Sequence, residues 1–219
     1  MMNHYIDHTL LKADATHSQI ENLCKEAKLY NFTSVCIHPH YVQTASQLLS
    51  DCPVKVCTVV GFPLGSNTTK TKVFETQNAL KNGADEIDMV INVSWLKDKA
   101  YDQIQNEITS LKSTVGKRVL KVIVEISLLT KEELAKISQI VSKSGADFIK
   151  TSTGFSAHGA TLEAVKMMKE NISENVQIKA SGGIRDYKTA KAYIDLGVAR
   201  LGTSSGVEIV EGRISNKTY

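Results

Sequence analysis

The chain has 219 residues, enough for one domain with a full core, and its hydrophobic (42%) and charged (22%) fractions are ordinary for a globular protein. The net charge of +3 is too small and too dispersed to indicate a nucleic-acid partner, although it suits a small anionic substrate. The first residues lack the apolar segment of a secretory signal, and there is no run of about 18 apolar residues to cross a membrane. We therefore expect a cytoplasmic protein with no membrane or nucleic-acid partner.

The cysteines agree with this expectation. Cys24, Cys36, Cys52 and Cys57 form neither a C-x-x-C pair nor a zinc-binding spacing. We expect all four to be reduced thiols. Cys36 lies on a predicted strand whose end approaches a site mouth, and we expect it to pack in the core.

Segments typical of strands and helices alternate along the chain. The predicted strands cover residues 5–10, 34–38, 54–60, 86–92, 120–126, 147–150, 176–179 and 199–202. Thr16 with Gln19 and Thr130 with Glu133 are capping boxes that mark helix starts, and Asp186 caps a later helix. Strict alternation of strands and helices predicts parallel strands joined by right-handed crossovers.

Three glycines recur at one place in this pattern, after a helix and before a strand. Gly83, Gly145 and Gly197 can each take the left-handed conformation that ends a helix. Each interval between them contains one further strand, so one repeating unit has about 26–31 residues. Eight units fit residues 1–219, which predicts an α/β fold with a single (β/α)8 TIM barrel and a mobile tail at 213–219. An open doubly wound sheet is the alternative; the even spacing and the inward polar residues favour the barrel.

Two predicted strands end in a lysine that is followed by a loop containing glycine. Lys150 and Lys179 are separated by about one strand–helix–strand unit. If the strands are neighbours, about 4.8 Å apart, the two ammonium groups repel each other by about 3 kcal/mol at a separation of roughly 6 Å. Burial and a neighbouring cation favour a neutral amine, which can attack a carbonyl and form a Schiff base. A strand-end lysine that reaches solvent is the alternative.

A carboxylate is predicted to face the same end of the barrel. Asp88 lies on the inward phase of the fourth strand, as Lys150 and Lys179 do on the sixth and seventh. Barrel enzymes place their sites at the carboxyl ends of the strands, and inward polar groups are costly unless paired or used. We expect either a catalytic site or a structural ion triad in which Asp88 neutralises two lysines.

The loops after the last two strands are rich in glycine and serine. Gly182 and Gly183 follow the seventh strand, and Gly202, Ser204 and Ser205 lie at the end of the eighth. In barrels these loops commonly bind phosphate through backbone N–H groups and a helix N-terminus. The sequence predicts a phosphate site here, with two ordinary turns as the alternative.

Five motifs, taken together, closely resemble the deoxyribose-phosphate aldolase family. They cover residues 5–12 (YIDHTLLK), 60–65 (VGFPLG), 83–92, 148–155 and 179–185. The resemblance implies a barrel enzyme that forms a Schiff base, a class I aldolase, with no metal or other cofactor. It also implies reversible cleavage of 2-deoxy-D-ribose 5-phosphate to D-glyceraldehyde 3-phosphate and acetaldehyde. The implied partners are this small phosphosugar substrate and other copies of the chain in a homo-oligomer, a dimer or a tetramer.

The resemblance assigns roles to particular residues. Lys150 resembles the Schiff-base lysine, Lys179 the cation that tunes it and shares in proton transfer, and Asp88 the acid/base group. Gly154 is implied to join the phosphate loops. Further candidates are Thr153, Asp7 and the C-terminal Tyr219. Two alternatives stay open: another phosphosugar barrel enzyme, either a different class I aldolase or an isomerase, and a barrel that binds a phosphorylated metabolite without catalysis.

Overall fold

Eight parallel strands close into a barrel in chain order, and the last strand pairs with the first. The computed structural model describes residues 2–215. The strands are β1 (Ile6–Leu10), β2 (Ser34–Ile37), β3 (Lys55–Val60), β4 (Glu86–Val90), β5 (Val119–Ile123), β6 (Phe148–Lys150), β7 (Gln177–Ser181) and β8 (Arg200–Thr203). The predicted (β/α)8 barrel is confirmed, and the open sheet is wrong.

Helices follow the strands around the outside of this barrel. They are α1 (His17–Tyr30), α2 (Val42–Leu48), α3 (Thr69–Lys81), α4 (Val93–Lys97), α5 (Tyr101–Val115), α6 (Lys131–Lys143), α7 (Leu162–Asn171), α8 (Tyr187–Asp195) and α9 (Gly206–Val210). Short 3-10 turns lie at Met2–Tyr5, Pro39–Tyr41 and Ile126–Leu128. Among residues 2–215, no helix combines the length and the apolar character that crossing a membrane requires.

The predicted helix starts are confirmed. The backbone N–H of Thr16 donates to the Gln19 side chain at 2.8 Å. Thr130 and Glu133 bond reciprocally, at 2.8 and 3.2 Å. The Asp186 carboxylate accepts from the first turn of α8. These side chains satisfy backbone donors that have no partner inside the helix, so the helices begin where the sequence predicts.

β4 and β5 are shorter than predicted, because two residues redirect the chain. The Asn92 side chain accepts from the backbone N–H of Trp95 at 3.4 Å and starts α4, a short helix that the sequence analysis did not predict. Glu125 takes the left-handed conformation (φ 55°), which ends the extended backbone before Ile126. Both changes occur at the carboxyl ends of strands, where the candidate site lies.

Successive side chains of a strand point alternately to the layer under the helices and to the barrel interior. On β4, Ile87 and Met89 are fully buried in the layer between the barrel and the helices. Asp88 lies between them in sequence and faces the barrel interior, paired in register with Lys121 of β5. The same alternation directs ionisable side chains of several strands toward one another inside the barrel.

Candidate active site

Asp88 brings together the two lysines that the sequence singled out. Its Oδ2 atom accepts hydrogen bonds from Lys150 Nζ at 2.7 Å and from Lys179 Nζ at 2.8 Å. Asp88 and Lys179 are fully buried, and Lys150 is 2% exposed. The arrangement follows from strand phase, because all three residues lie on the inward faces of β4, β6 and β7.

The other oxygen of the same carboxylate holds a third lysine. Asp88 Oδ1 accepts from Lys121 Nζ at 2.9 Å and from Cys57 Sγ at 3.1 Å. Lys121 Nζ also donates to Glu86 at 2.5 Å. Lys121 was not among the residues predicted for the site. Its register partner is Asp88, and this pairing is the signal that could have identified it.

Asp7 completes the network from the first strand. Its Oδ2 lies 2.5 Å from Lys179 Nζ, an ion pair without hydrogen-bond geometry. Arg200 of β8 pairs with Asp7 and with Glu86, so it bridges the closing strand pair and β4. Asp7 was among the predicted candidates, whereas Glu86 and Arg200 were missed. The contacts of Arg200 with Asp7 and Glu86 form only when the barrel closes and β8 lies beside β1.

The electrostatics of the network fix the charge of several members. Burial raises the pKa of Asp88, but Lys121, Lys150 and Lys179 outweigh it and hold this pKa well below its ordinary value. Burial also opposes ionisation of Asp7, yet Lys179, Arg200 and Lys121 lower its pKa to about 2.

For Lys179 the balance runs the other way. Burial disfavours the ammonium form, but the carboxylates of Asp7 and Asp88 overcome it and raise the pKa of Lys179. At neutral pH, Asp7 and Asp88 are therefore anionic, and Lys179 is a cation that has a proton to donate.

The predicted phosphate residues lie on neighbouring loops after β7 and β8. Gly182 and Gly183 have φ angles of 86° and 80°, in the left-handed region that favours glycine. The loop after β7 touches the loop after β6, because a Cβ on Gly159 would lie 2.2 Å from the Gly182 carbonyl oxygen. The Thr203 hydroxyl donates to the Ile184 carbonyl at 2.7 Å and ties the end of β8 to the same loop.

The candidates Gly202, Ser204 and Ser205 occupy different environments. Gly202 lies within β8, not in the loop. A Cβ there would lie 2.8 Å from Ser181 Cβ and 3.1 Å from Lys179 Cε, so this glycine makes room for both side chains. Ser204 lines a cavity of about 510 Å³ formed with residues of β1 and α1. Ser205 is buried at the start of α9, and its backbone N–H donates to the Thr203 hydroxyl at 2.9 Å.

Thr153 and Gly154 shape the loop after β6. The Thr153 hydroxyl donates to the Glu125 carboxylate and accepts from the backbone N–H of Phe155 at 3.0 Å. Gly154 follows with φ 93°. The Thr153 hydroxyl therefore holds the loop in place, and Glu125 is its partner, which the sequence analysis did not identify.

A further prediction concerns the packing of Cys36. Cys36 packs in a buried apolar cluster with Leu11, Cys57 and Val59, as expected. All four cysteines of the chain are free thiols.

Tyr219, together with the rest of the predicted tail beyond Ser215, lies outside the described residues, and its role stays a prediction.

The comparisons with known proteins match the chain along nearly its whole length. The family model described as DeoC/LacD family aldolase matches residues 1–210. The chain belongs to this family. Within the DeoC/LacD family, the deoxyribose-phosphate aldolase of Geobacillus sp. (strain WCH70) is 55% identical over 215 residues, covering 98% of this chain and 96% of that protein.

Solved structures of aldolases superpose on the same barrel. A putative deoxyribose-phosphate aldolase from Coccidioides immitis has a TM-score of 0.93 and 42% identity, over 96% of this chain and 84% of that one. A deoxyribose phosphate aldolase from Aeropyrum pernix, described as a unique tetrameric structure, has a TM-score of 0.88 and 33% identity, over 96% and 89%. The chain is similar to both in fold and in sequence.

Proposed function

We propose that this protein is an aldolase that reversibly cleaves 2-deoxy-D-ribose 5-phosphate to D-glyceraldehyde 3-phosphate and acetaldehyde through a Schiff base on Lys150. Membership of the DeoC/LacD family and the named activity of relatives at more than 50% identity support the reaction. The observation that carries the choice of nucleophile is the number of carboxylates around each cation of the buried network.

The network holds one more cationic group than it has carboxylates. Its members are Asp7, Glu86, Asp88, Lys121, Lys150, Lys179 and Arg200. Lys121, Lys179 and Arg200 each contact at least two carboxylates, whereas within residues 2–215 Lys150 contacts Asp88 alone. Three carboxylates balance three cations, so the network is neutral when Lys150 is uncharged. A neutral amine is the form that attacks a carbonyl.

The proposed reaction begins when neutral Lys150 adds to the aldehyde carbon of the open-chain sugar. Loss of water from the carbinolamine gives an iminium, with proton transfers carried by Asp88, directly or through water, and by Lys179. The lysine charge is among the causes that depress the pKa of Asp88. An uncharged Lys150 therefore makes Asp88 a stronger proton acceptor.

The iminium then accepts the electron pair of the bond between C2 and C3. The C3 hydroxyl loses its proton to Asp88 and becomes the aldehyde of glyceraldehyde 3-phosphate, while an enamine of acetaldehyde remains on Lys150. Protonation of the enamine at carbon and hydrolysis of the resulting iminium release acetaldehyde and restore the amine. The buried network supplies fixed charges around these steps, so no reorganisation of solvent is required.

The loops after β7 and β8 are proposed to hold the phosphate group. Two consecutive glycines in the left-handed conformation, Gly182 and Gly183, allow the backbone to approach an anion closely, and the bond from Thr203 to Ile184 ties the two loops together. Ser204, Ser205 and Gly154 remain predicted members of this site. Anchoring the far end of the sugar would orient its aldehyde toward Lys150.

Borohydride reduction in the presence of deoxyribose 5-phosphate tests the proposal. We expect acetaldehyde release in the absence of borohydride and, in its presence, a covalent adduct that peptide mass spectrometry locates at Lys150. Lys150→Met should lose the adduct, and Lys117→Met, which changes an exposed lysine between α5 and β5, should keep it. Turnover without an adduct at Lys150 would indicate an isomerase or another mechanism, and binding without turnover would indicate a metabolite-binding barrel.

We also propose that the chain forms a homo-oligomer, a dimer or a tetramer, in the cytoplasm. The tetramer named for the Aeropyrum pernix relative supports assembly. The four free thiols support a reducing compartment. Light scattering after gel filtration should give a mass of two or four chains; a single-chain mass at micromolar concentration contradicts assembly.

A further inference from the structure

Two cysteines meet the central carboxylate on three consecutive strands. Cys36 of β2 and Cys57 of β3 are register partners, and Asp88 lies on the next strand. The two Sγ atoms and a carboxylate oxygen all lie within 4.8 Å of one another, and all three residues are fully buried. The scheme proposed for the aldol reaction uses neither thiol.

These donors suit a metal ion that prefers sulfur. Thiolate sulfur and carboxylate oxygen are zinc ligands at about 2.3 and 2.0–2.2 Å, which places tetrahedral donors roughly 3.3–3.8 Å apart. Cys57 Sγ and Asp88 Oδ1 are already 3.1 Å apart. Side-chain rotations that move the donors by about 1 Å or less would close the set around one ion, with a fourth position left for water.

We propose that Cys36, Cys57 and Asp88 form a binding site for a thiophilic divalent cation, zinc or cadmium, and that occupation of this site stops the aldol reaction. The inhibitory part rests on the function proposed above; the binding part does not. The three ligands come from strands β2, β3 and β4, so the site belongs to the barrel interior and not to a mobile loop.

The nearby ammonium groups would repel a dication, but the net charge of the cluster stays the same when the ion binds. Each thiol loses its proton to solvent when it binds, so a dication replaces two protons and the net charge of the cluster does not change. Lys121 Nζ lies 2.9 Å from Asp88 Oδ1 and 3.4 Å from Cys57 Sγ, and it would move toward Glu86, to which it already donates.

Occupation of the site would inhibit by removing the proton acceptor. Asp88 Oδ2 lies 2.7 Å from Lys150 Nζ and belongs to the same carboxylate that would coordinate the ion. A carboxylate bound to a metal accepts protons poorly, so carbinolamine formation would stop while the ion is present. Removal of the ion by a chelator would restore the acceptor.

Cadmium titration of the metal-free protein, kept reduced with a phosphine, tests the proposal. We expect one ion retained per chain after gel filtration, an ultraviolet charge-transfer band for two thiolate ligands, and loss of acetaldehyde release in the same proportion, reversed by EDTA. Zinc should compete with cadmium for the site.

Three variants locate the ion without reference to turnover. Cys57→Ala and, separately, Cys36→Ala should each weaken cadmium affinity at least about 100-fold, because even changes outside the ligand shell cost 10–100-fold. Cys52→Ser, which changes a half-buried thiol after α2, is the matched control and should keep the stoichiometry, the band and the affinity.

The binding site and the inhibition can be overturned by different results. A chain that binds no cadmium, or that keeps the thiolate band in both alanine variants, overturns the site. Dependence of the band on Cys52 overturns it as well. Binding at Cys36 and Cys57 with unimpaired acetaldehyde release keeps the site and overturns the inhibition. Because the band and the stoichiometry are read on the resting protein, failure of the proposed aldol reaction would leave the binding result intact.

Discussion

Lys150 and Lys179 donate to the same atom, Oδ2 of Asp88, at 2.7 and 2.8 Å. The two nitrogens are therefore at most about 5.5 Å apart, the sum of the two contacts. At an effective dielectric constant of about 20, two ammonium groups at this separation repel by about 3 kcal/mol. Lys179 is held as a cation by two carboxylates, so a positive charge lies directly beside the proposed nucleophile.

Removal of the Lys179 charge should move the pH dependence of catalysis. In Lys179→Leu, we expect the alkaline rise of kcat/KM to shift to higher pH by up to about two units, because about 3 kcal/mol of repulsion is lost. The measurement is the pH–rate profile of acetaldehyde release. Lys191→Leu, an exposed change on α8, should leave the profile in place. A profile that stays where it is in Lys179→Leu would remove the role of this residue as a tuning cation.

The contribution of Asp7 to the free energy of unfolding should depend on pH. Its pKa in the folded protein is about 2, below the ordinary 3.8, so its contribution is present above about pH 3.8 and is lost as the pH falls through about 2. The shift corresponds to about 2 kcal/mol. Urea unfolding between pH 5 and 2 should show a smaller loss of unfolding free energy in Asp7→Asn than in the wild type. Asp195→Asn, on the surface, should follow the wild type; equal losses in all three proteins would contradict the assignment.

A methyl group at residue 159 should weaken phosphate binding selectively. The added Cβ would lie 2.2 Å from the Gly182 carbonyl oxygen, so Gly159→Ala must displace the loop after β7. We expect KM for deoxyribose 5-phosphate to rise about 10- to 100-fold, since displacements of about 1 Å have effects of this size. Cleavage of unphosphorylated deoxyribose should change little. Ala157→Ser, exposed and two residues earlier, is the control, and equal losses with both sugars would place the defect outside the phosphate site.

A further buried ion pair, outside the network, joins α3 to α5. Lys72 of α3 donates to Glu107 of α5 and to the Val90 carbonyl, both at 2.8 Å, and both charged residues are buried. Lys72→Met should lower the free energy of unfolding by about 3–5 kcal/mol, because the buried Glu107 carboxylate loses its cation and keeps only the Thr69 hydroxyl, at 3.1 Å, as a side-chain donor. Lys72→Met combined with Glu107→Leu should recover most of this loss in urea titrations. A double variant no more stable than the single one would show that the pair is not the cause.

The central residues of the site could be predicted from strand phase, whereas the contacts around them depend on closure of the barrel and could not. Asp88, Lys150 and Lys179 each lie on an inward phase that can be read from alternation along one strand. The partnership of Arg200 with Asp7 depends on the pairing of β8 with β1, which are 193 residues apart along the chain at this contact. Local patterns carry no information about such a pairing.

Other features depended on contacts between backbones or on unusual dihedral angles. The approach of Gly159 to Gly182 joins two loops whose relative position no periodicity encodes. The left-handed Glu125 resembles an ordinary strand residue in the sequence, which is why β5 was predicted to be too long. The helix caps were predicted correctly because a cap depends on residues three positions apart.

The closure of the ring through β1 and β8 has a consequence for synthesis on the ribosome. Asp7 is synthesised before the strands that bear Lys179 and Arg200, so its carboxylate cannot form these ion pairs until β7 and β8 have left the ribosome. A nascent or clipped chain without β8 would expose two open edges that can pair with other chains. Completion of the last strand thus both assembles the charge network and protects the newborn protein from aggregation.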